Sequence, residues 1–154
     1  MQLDLKCIWN ELTSIIDYLL FFELQVSYSL YDTVSAYTLE IEAVSCDELY
    51  ADITSVLRRA QVSPEQFATH LRQVIASKTQ CCASIGMGSN MLMARLSTKK
   101  AKPNGLFYIT KAQMVDFMKD HQVEDLPGVG KSMAHRLHAM DIQTCAEMQQ
   151  VTNQ

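Results

Sequence analysis

The sequence has 154 residues, a mass of 17.4 kDa and a formal net charge of −4. This length suits one ordinary domain or two very small ones. Hydrophobic residues make up 48% and charged residues 19%, which excludes disorder as the default expectation. Five cysteines without a C-x-x-C pair argue against a disulfide scaffold or a cysteine zinc site, and favour a reducing compartment. The apolar stretch from Ile15 to Val26 contains Asp17 and Glu23 and is too short to span a bilayer, so no membrane association is expected.

The charge is distributed unevenly along the chain. Residues 1–57 carry ten acidic residues and one basic residue, which gives −9, whereas the remainder carries 12 basic and seven acidic residues, which gives +5. A mildly acidic pI of about 5.5 argues against a simple DNA-coating protein. An acidic part beside a basic part is compatible with an enzyme that holds metal ions with one end and phosphates with the other.

Helices are predicted where apolar residues recur at helical spacing or where a capping residue precedes such a run. The clearest start signal is Ser63, Pro64 and Gln66, which form a capping-box pattern with proline at the first helical position. The predicted helices cover residues 3–24, 31–37, 49–60, 64–78, 91–99, 110–119 and 131–140.

Strands are predicted from alternation, as at Leu39, Ile41 and Ala43, and from short apolar runs bounded by turn residues. The predicted strands cover residues 38–45, 81–88 and 106–109. Two strands separated by helices can be neighbours in one sheet with the helices packed on one face. The order therefore predicts an α+β layer in which the first two strands can be neighbours, followed by a separate helical module from about Thr110.

Two adjacent carboxylates, Asp47 and Glu48, follow the first predicted strand. Such a pair can converge on one divalent ion if the backbone turns there, and oxygen ligands favour Mg²⁺. In a two-metal site, carboxylates hold ions about 3.5–4 Å apart, so that one ion activates the attacking oxygen and the other stabilises the leaving group. The alternative interpretation is that the two acids begin the next helix, where they complement its dipole. Taken alone, the pattern favours this alternative.

A second motif combines glycines with a cluster of cations. Gly86 and Gly88 allow a sharp bend between a strand and a helix, and Lys102 beside Pro103 at the end of that helix can contact a triphosphate as a point charge. The alternative is a solvated basic face followed by an ordinary Pro-Asn-Gly turn, which is favoured when the motif is taken alone. The motif is not a Walker loop, because no Gly-Lys-Ser/Thr follows at the required spacing.

The third motif, Leu126 to Lys131, is the most specific. Pro-Gly-Val-Gly predicts a tight hairpin turn, and the helix that follows it offers N–H groups and a positive dipole end to a phosphate. Lys131 adds a charge. This is the helix-hairpin-helix pattern for contacting a nucleic-acid backbone without reading its sequence. The alternative is a plain connection between two helices.

In this order, the three motifs resemble those of the Y-family translesion DNA polymerases, and within them the deoxycytidyl transferase branch. The resemblance runs from about Leu30 to Gln150. Residues 42–48 resemble the palm strand with its carboxylate motif, residues 84–105 the second palm segment, and residues 126–137 the thumb hairpin. The residues that indicate the branch are Cys46, Met91 and Arg95.

The resemblance implies an α+β fold: a partial ferredoxin-like palm over residues 30–109 and a truncated all-helical thumb with a helix-hairpin-helix over residues 110–154, preceded by an unmatched amphipathic segment over residues 1–29. It implies nucleotide insertion opposite damaged template bases, with primer-template DNA, a deoxynucleoside triphosphate (dCTP is expected) and other translesion polymerases as partners, in the nucleus. The implied site residues are Asp47 and Glu48 as catalytic Mg²⁺ ligands, Lys102 for the triphosphate, and Gly128, Val129, Gly130 and Lys131 for the DNA backbone.

The sequence also departs from the family pattern. Nothing in residues 1–29 matches the strand that bears the family's first metal-binding aspartate, and the fingers are not found. We therefore expect a fragment of a nucleotidyltransferase that is inactive as an isolated chain. The alternative is a module that contacts the DNA backbone through the hairpin and performs no chemistry.

Overall fold

The computed structural model of the chain describes residues 5–151, and it describes side chains from residue 19 onward. Seven α-helices lie in this range, namely α1 (Leu5–Ser35), α2 (Thr54–Ala60), α3 (Pro64–Thr79), α4 (Met91–Ala101), α5 (Met114–Lys119), α6 (Lys131–His138) and α7 (Cys145–Val151). The strands are β1 (Ile41–Ala43), β2 (Leu49–Ala51), β3 (Ile85–Met87) and β4 (Leu106–Tyr108), and a 3₁₀ turn covers Val123–Asp125. The mixture of helices and small sheets is an α+β fold, as predicted.

The described residues form two compact units. The first contains the residues up to Ser63 together with His70–Cys82, and the second contains Pro64–Thr69 and the residues from Ala83 onward. The two units are therefore interleaved along the chain, and α3 contributes to both.

The first unit is built from α1, the hairpin β1–β2, α2 and most of α3. The two strands pair antiparallel, with Glu42 opposite Tyr50 in the centre of the register. Each strand has three residues, so the hairpin is short. The turn that connects the two strands is exposed. The buried side chains of this unit come from all its helices and from the segment after α1, and they are Thr33, Val34, Thr38, Val56, Leu71, Ile75 and Thr79.

The second unit contains a strand–helix–strand arrangement. β3 and β4 pair in parallel, with Gly86 opposite Phe107, and α4 connects them. The core of this unit is a cluster around Leu96, which is completely buried. The side chains that pack in or against this cluster are Leu92, Met93, Phe107, Ile109, Met114, Phe117 and Met118.

Gly86 and Gly88 bring β3 close to α4. A Cβ atom at Gly86 would lie 2.0 Å from the Thr98 backbone nitrogen, and one at Gly88 would lie 2.3 Å from the Met93 Cβ. No side chain fits in such a gap, so these glycines serve helix–strand packing in addition to the bend that the sequence predicts.

Several predicted elements are confirmed because their signals are local. α4 begins at Met91 as predicted, and the Asn90 side chain caps it by accepting the Met93 N–H at 2.9 Å. α3 begins at Pro64, β4 covers most of the predicted extended piece, and α6 begins at Lys131. In α3, Phe67, Leu71 and Ile75 are buried, whereas Val74 is half-buried.

The first part of the chain requires two corrections. The two helices predicted over residues 3–24 and 31–37 are one continuous helix, α1, because residues 25–30 contain no proline or glycine to interrupt it. The strand predicted over residues 38–45 is limited to β1. Leu39, predicted to be half-buried, is 85% exposed, since it lies in the turn before the strand begins.

The helix predicted over residues 49–60 is also wrong at its start. Leu49 to Ala51 form β2 instead, and α2 begins at Thr54, where the Asp52 carboxylate accepts the backbone N–H at 2.8 Å. The predicted pairing of the first two strands is wrong as well, because β1 pairs with β2 and β3 pairs with β4. The strand β2 was missed because its three residues are stable only when paired.

In the last part of the chain, the helix predicted from Thr110 begins at Met114. Thr110 instead forms a turn in which its hydroxyl donates to the Gln113 side chain at 2.7 Å. The helix α7 was not predicted. Within residues 5–151, no helix has the length and apolar character needed to cross a membrane.

Candidate metal-binding and phosphate-binding residues

Asp47 and Glu48 lie on the exposed turn between β1 and β2. The turn is closed by the backbone N–H groups of Val44 and Ser45, which both donate to the Glu48 carbonyl at 3.0 Å. The interpretation of Asp47 and Glu48 as a helix start is therefore wrong, since a strand follows them. The structure places both residues where the backbone reverses between the two strands.

Ser45 organises the side-chain contacts of this turn. Its hydroxyl donates to Asp47 Oδ1 at 2.5 Å and accepts the Glu48 backbone N–H at 3.1 Å. This contact restrains one oxygen of the Asp47 carboxylate. Ser45 thus supports the carboxylate of Asp47.

The two carboxylates suit Mg²⁺ in donor type but not in number. Hard oxygen ligands on an exposed turn leave room for the water molecules that Mg²⁺ retains. Among the side chains of residues 19–151, however, no group of three or more His, Cys, Asp or Glu residues is placed to hold a metal ion. The two carboxylates alone therefore provide fewer ligands than a metal ion requires.

Asp52 does not join this pair. Its side chain receives hydrogen bonds from the hydroxyl and the backbone N–H of Thr54, which hold the pKa of Asp52 below its usual value. Asp52 therefore stabilises the start of α2 in its charged form.

The cations at the end of α4 have different surroundings. Lys99 Nζ lies 3.0 Å from the Asp125 carbonyl and 3.1 Å from its carboxylate, and Lys100 Nζ lies 5.8 Å from the centre of the Phe117 ring. Lys102 is exposed at the end of the helix. Lys99, Lys100 and Lys102 are all exposed, so the interpretation as a solvated basic face and the interpretation as a triphosphate contact both remain predictions.

The predicted hairpin turn is present before α6. The Val129 N–H donates to the Leu126 carbonyl at 3.1 Å, and Gly128 has φ +87°, a value that favours glycine. Gly130 has φ −84° and ψ 175°, which most residues adopt. The first helical hydrogen bond runs from the Ala134 N–H to the Gly130 carbonyl, so the N–H groups before Ala134 face the hairpin.

The surface of this hairpin is open. Gly128, Gly130 and Lys131 are exposed and Val129 is half-buried. A Cβ atom on either glycine would meet no atom of the described chain within 4 Å. A phosphate can therefore approach the backbone here, which is the arrangement expected of a helix N-terminus that binds anions.

The structure groups the predicted site residues by unit. Asp47 and Glu48 belong to the first unit, whereas Lys102 and the hairpin belong to the second. Within the second unit, the Lys99–Asp125 contact ties the end of α4 to the residue immediately before Leu126, where the hairpin begins.

Two contacts were missed by reasoning from the sequence. Thr144 and Glu147 form a reciprocal capping box at α7, in which the Glu147 carboxylate accepts the Thr144 N–H at 2.8 Å and the Thr144 hydroxyl accepts the Glu147 N–H at 3.2 Å. The spacing of these residues is a signal that could have predicted α7. The other contact is made by Tyr31, whose hydroxyl lies 2.7 Å from the Ser45 carbonyl; no sequence signal links residues so far apart.

The comparison with known proteins identifies the family. The impB/mucB/samB family matches residues 7–99, and the family described as the thumb domain of DNA polymerase iota matches residues 124–154. The chain belongs to the impB/mucB/samB family. The resemblance to the Y-family polymerases is thereby confirmed. The first match begins ahead of Leu30, where the resemblance seen in the sequence alone starts.

Individual relatives agree with this assignment. The chain is 42% identical to the DNA repair protein Rev1 of Drosophila melanogaster over 129 residues, which cover 83% of this chain. It is 36% identical to DNA polymerase IV of Francisella tularensis subsp. novicida over a segment that covers 79% of this chain. Rev1 belongs to the deoxycytidyl transferase branch, so the branch indicated by Cys46, Met91 and Arg95 is supported too.

A solved polymerase has the same fold. The insertion ternary complex of Dbh DNA polymerase superimposes with a TM-score of 0.71 at 27% identity, over 79% of this chain and 36% of that chain. The sequence segments aligned with this chain make up 13% of Drosophila Rev1 and 34% of the Francisella polymerase. The chain thus spans from about an eighth to about a third of its relatives' lengths. DNA repair, translesion polymerase and DNA binding are the functional classes of the family to which it belongs.

Proposed function

We propose that this chain supplies part of the palm and thumb of a translesion DNA polymerase of the deoxycytidyl transferase type. Residues 30–109 form the palm part and residues 110–154 the thumb part, preceded by residues 1–29. The observation that carries the proposal is the family match over residues 7–99, in which Asp47 and Glu48 lie side by side on an exposed turn. The reaction is nucleotidyl transfer to a primer opposite damaged template bases, and dCTP is the nucleotide that the branch favours.

Mg²⁺ is the cofactor that we assign to this activity. Y-family polymerases are in general metal-dependent, and the exposed carboxylates of Asp47 and Glu48 provide ligands of the type that Mg²⁺ prefers. When bound, the ions stabilise the charges of the attacking and leaving oxygens. The role of this chain's residues is to present the two carboxylates in a fixed orientation, which the Ser45 hydroxyl supports.

The remaining site residues hold phosphates. Lys102 contacts the triphosphate as a point charge at the exposed end of α4. Gly128, Val129, Gly130 and Lys131 contact the DNA backbone as a helix-hairpin-helix, through N–H groups of the hairpin and the charge of Lys131. The protein acts in the nucleus. Its partners there are other translesion polymerases.

The alternative is a module that binds DNA through the hairpin alone and performs no chemistry. The relatives do not favour this alternative, because the matches extend over the palm segment and include the DNA polymerases of Francisella. A binding module would also have no need for the paired carboxylates on the turn between β1 and β2.

A chimera tests the proposed function directly. In Drosophila Rev1, the segment that matches this chain over 129 residues is replaced by the corresponding residues of this chain. We expect the chimera to extend a primer by one nucleotide in the presence of Mg²⁺, with dCTP preferred over the other three nucleotides. A folded chimera that binds primer-template DNA but incorporates no nucleotide would favour the binding-module alternative.

A further inference from the structure

Tyr31 connects helix α1 to the turn that carries Asp47 and Glu48. Its hydroxyl lies 2.7 Å from the Ser45 carbonyl oxygen and 3.2 Å from the Glu48 carbonyl oxygen. A phenol has one hydrogen to donate, so the shorter contact is the main hydrogen bond and the second carbonyl shares it. Since Ser45 and Glu48 are the two ends of the acidic turn, one hydroxyl holds both ends.

The turn depends on hydrogen bonds because burial contributes little to it. The residues from Ser45 to Glu48 are all exposed. The Glu48 carbonyl already accepts the N–H groups of Val44 and Ser45 at 3.0 Å, and the Tyr31 hydroxyl converges on the same oxygen. The tyrosine therefore strengthens the point at which the turn is closed.

The helix that carries Tyr31 is itself anchored. Thr33 and Val34, close to Tyr31 in α1, are 1% and 4% exposed, so this part of the helix is fixed in the first unit. Because Tyr31 is 14 residues from Ser45, its contact is a tertiary one and transfers the rigidity of α1 to the turn.

We propose that Tyr31 is a positioning residue for the two carboxylates of Asp47 and Glu48. The inference rests on the proposed metal role of that pair. By fixing the backbone at both ends of the turn, the Tyr31 hydroxyl keeps the carboxylates oriented toward one divalent ion and lowers the ordering cost of metal binding. Its hydrogen bonds are exposed, so water can replace them and Tyr31→Phe is expected to fold.

The test uses the complete 154-residue chain labelled with ¹⁵N. Mn²⁺ takes the same oxygen ligands as Mg²⁺ and is paramagnetic, so weak binding is detected as broadening of nearby amide signals. We expect broadening of residues 45–48 that excess Mg²⁺ reverses. In Tyr31→Phe, the apparent Mn²⁺ affinity should fall roughly 2- to 10-fold, the range of one hydrogen bond. Amide exchange in the turn should also accelerate.

Tyr28→Phe is the matched control, because Tyr28 lies three residues earlier on α1 and is 69% exposed. Circular dichroism verifies that both variants keep the helix content of the parent. If Tyr31→Phe equals Tyr28→Phe in Mn²⁺ affinity while the parent binds Mn²⁺, the positioning role is wrong and the metal role stands. If the parent shows no broadening at residues 45–48, the two carboxylates of this chain do not hold an ion by themselves, and the positioning role is wrong. Faster amide exchange with unchanged Mn²⁺ affinity also contradicts the positioning role, since the hydroxyl would then stabilise the turn alone.

Discussion

Gly128, Gly130 and Lys131 have different roles in the hairpin before α6, although Gly128 and Gly130 look alike in the sequence. Gly128 has φ +87°, where any side chain is strained, whereas Gly130 has a backbone conformation that is open to most residues. A β-branched residue at Gly130 is thus compatible with the backbone, and its effect would be to obstruct phosphate approach. Lys131 contributes charge rather than shape.

These differences predict separable effects on DNA binding. Gly128→Ala should destabilise the hairpin by about 1 kcal/mol, since a non-glycine residue in the left-handed region costs roughly 1–2 kcal/mol. Gly130→Val should retain the fold and weaken duplex DNA binding. Thermal denaturation followed by circular dichroism and binding to a labelled duplex measure the two effects. Equal DNA affinity of folded Gly130→Val and the parent would show that the hairpin is only a helix connection.

Lys131→Ala should weaken binding about equally on all DNA sequences. Neutralising a phosphate releases counterions, so the slope of log affinity against log salt concentration should become shallower by about one unit. The matched control is Lys119→Ala, whose ammonium is paired with Asp116 at 2.8 Å. An unchanged slope in Lys131→Ala would exclude Lys131 from the phosphate contacts.

Glu147 has a pKa below its usual value, because its carboxylate accepts the backbone N–H groups of Gln143 and Thr144. A carboxyl group whose pKa is lower in the folded state stabilises the fold above its unfolded pKa of about 4.5, and this stabilisation is lost as the pH falls through the folded value. The start of α7 should therefore fray in acid before the rest of the helix. Amide exchange of residues 143–147 between pH 6 and pH 3 measures this, and Glu147→Gln should remove most of the pH dependence. Equal pH dependence in both forms would contradict the capping role.

At the scale of elements, helices that begin with local capping contacts were predicted correctly, whereas the pairing of the strands was not. Asn90 and Pro64 start helices by contacts within a few residues, so the starts of α3 and α4 could be read from the sequence. β2 has three residues and no pattern of its own, and it exists because Leu49 pairs with Ala43 across the acidic turn. The same limit applies to the site. Asp47 and Glu48 form a local motif, whereas the contact of Tyr31 with the Ser45 and Glu48 carbonyl oxygens joins α1 to a turn far along the chain.

The close packing of β3 on α4 predicts a specific sensitivity. Gly86→Ala would place a methyl group 2.0 Å from the Thr98 nitrogen, and backbone atoms cannot move aside as a flexible side chain would. Overpacking typically costs about 1–3 kcal/mol, so the free energy of unfolding should fall by at least that amount. Gly130→Ala is the control, because its Cβ would meet no described atom within 4 Å. Urea denaturation compares the two variants, and equal midpoints would contradict the packing account.

At the scale of the whole molecule, the chain combines an acidic unit that carries two carboxylates with a second unit that carries Lys102 and the hairpin. Among the side chains that the structure describes, from residue 19 to residue 151, no group of three or more His, Cys, Asp or Glu residues could hold a metal ion. We therefore expect the isolated 154-residue chain to incorporate no nucleotide in a primer extension assay with Mg²⁺ and each deoxynucleotide. Robust incorporation by the purified chain, abolished by Glu48→Ala, would overturn this expectation.

The central claim is that Asp47 and Glu48 hold metal for nucleotidyl transfer, and the double variant Asp47→Ala with Glu48→Ala in the Drosophila Rev1 chimera tests it most directly. Even the loss of a residue that supports a metal ligand costs roughly 10–100-fold, so losing two ligands should reduce nucleotide incorporation by more than about 100-fold. Affinity for primer-template DNA should remain within about twofold of the parent chimera, because the phosphates are held elsewhere. Glu42→Ala, which removes an exposed carboxylate from β1, is the control and should change neither quantity. Loss of DNA binding in parallel with incorporation would contradict the metal role and indicate that the two acids maintain the turn itself.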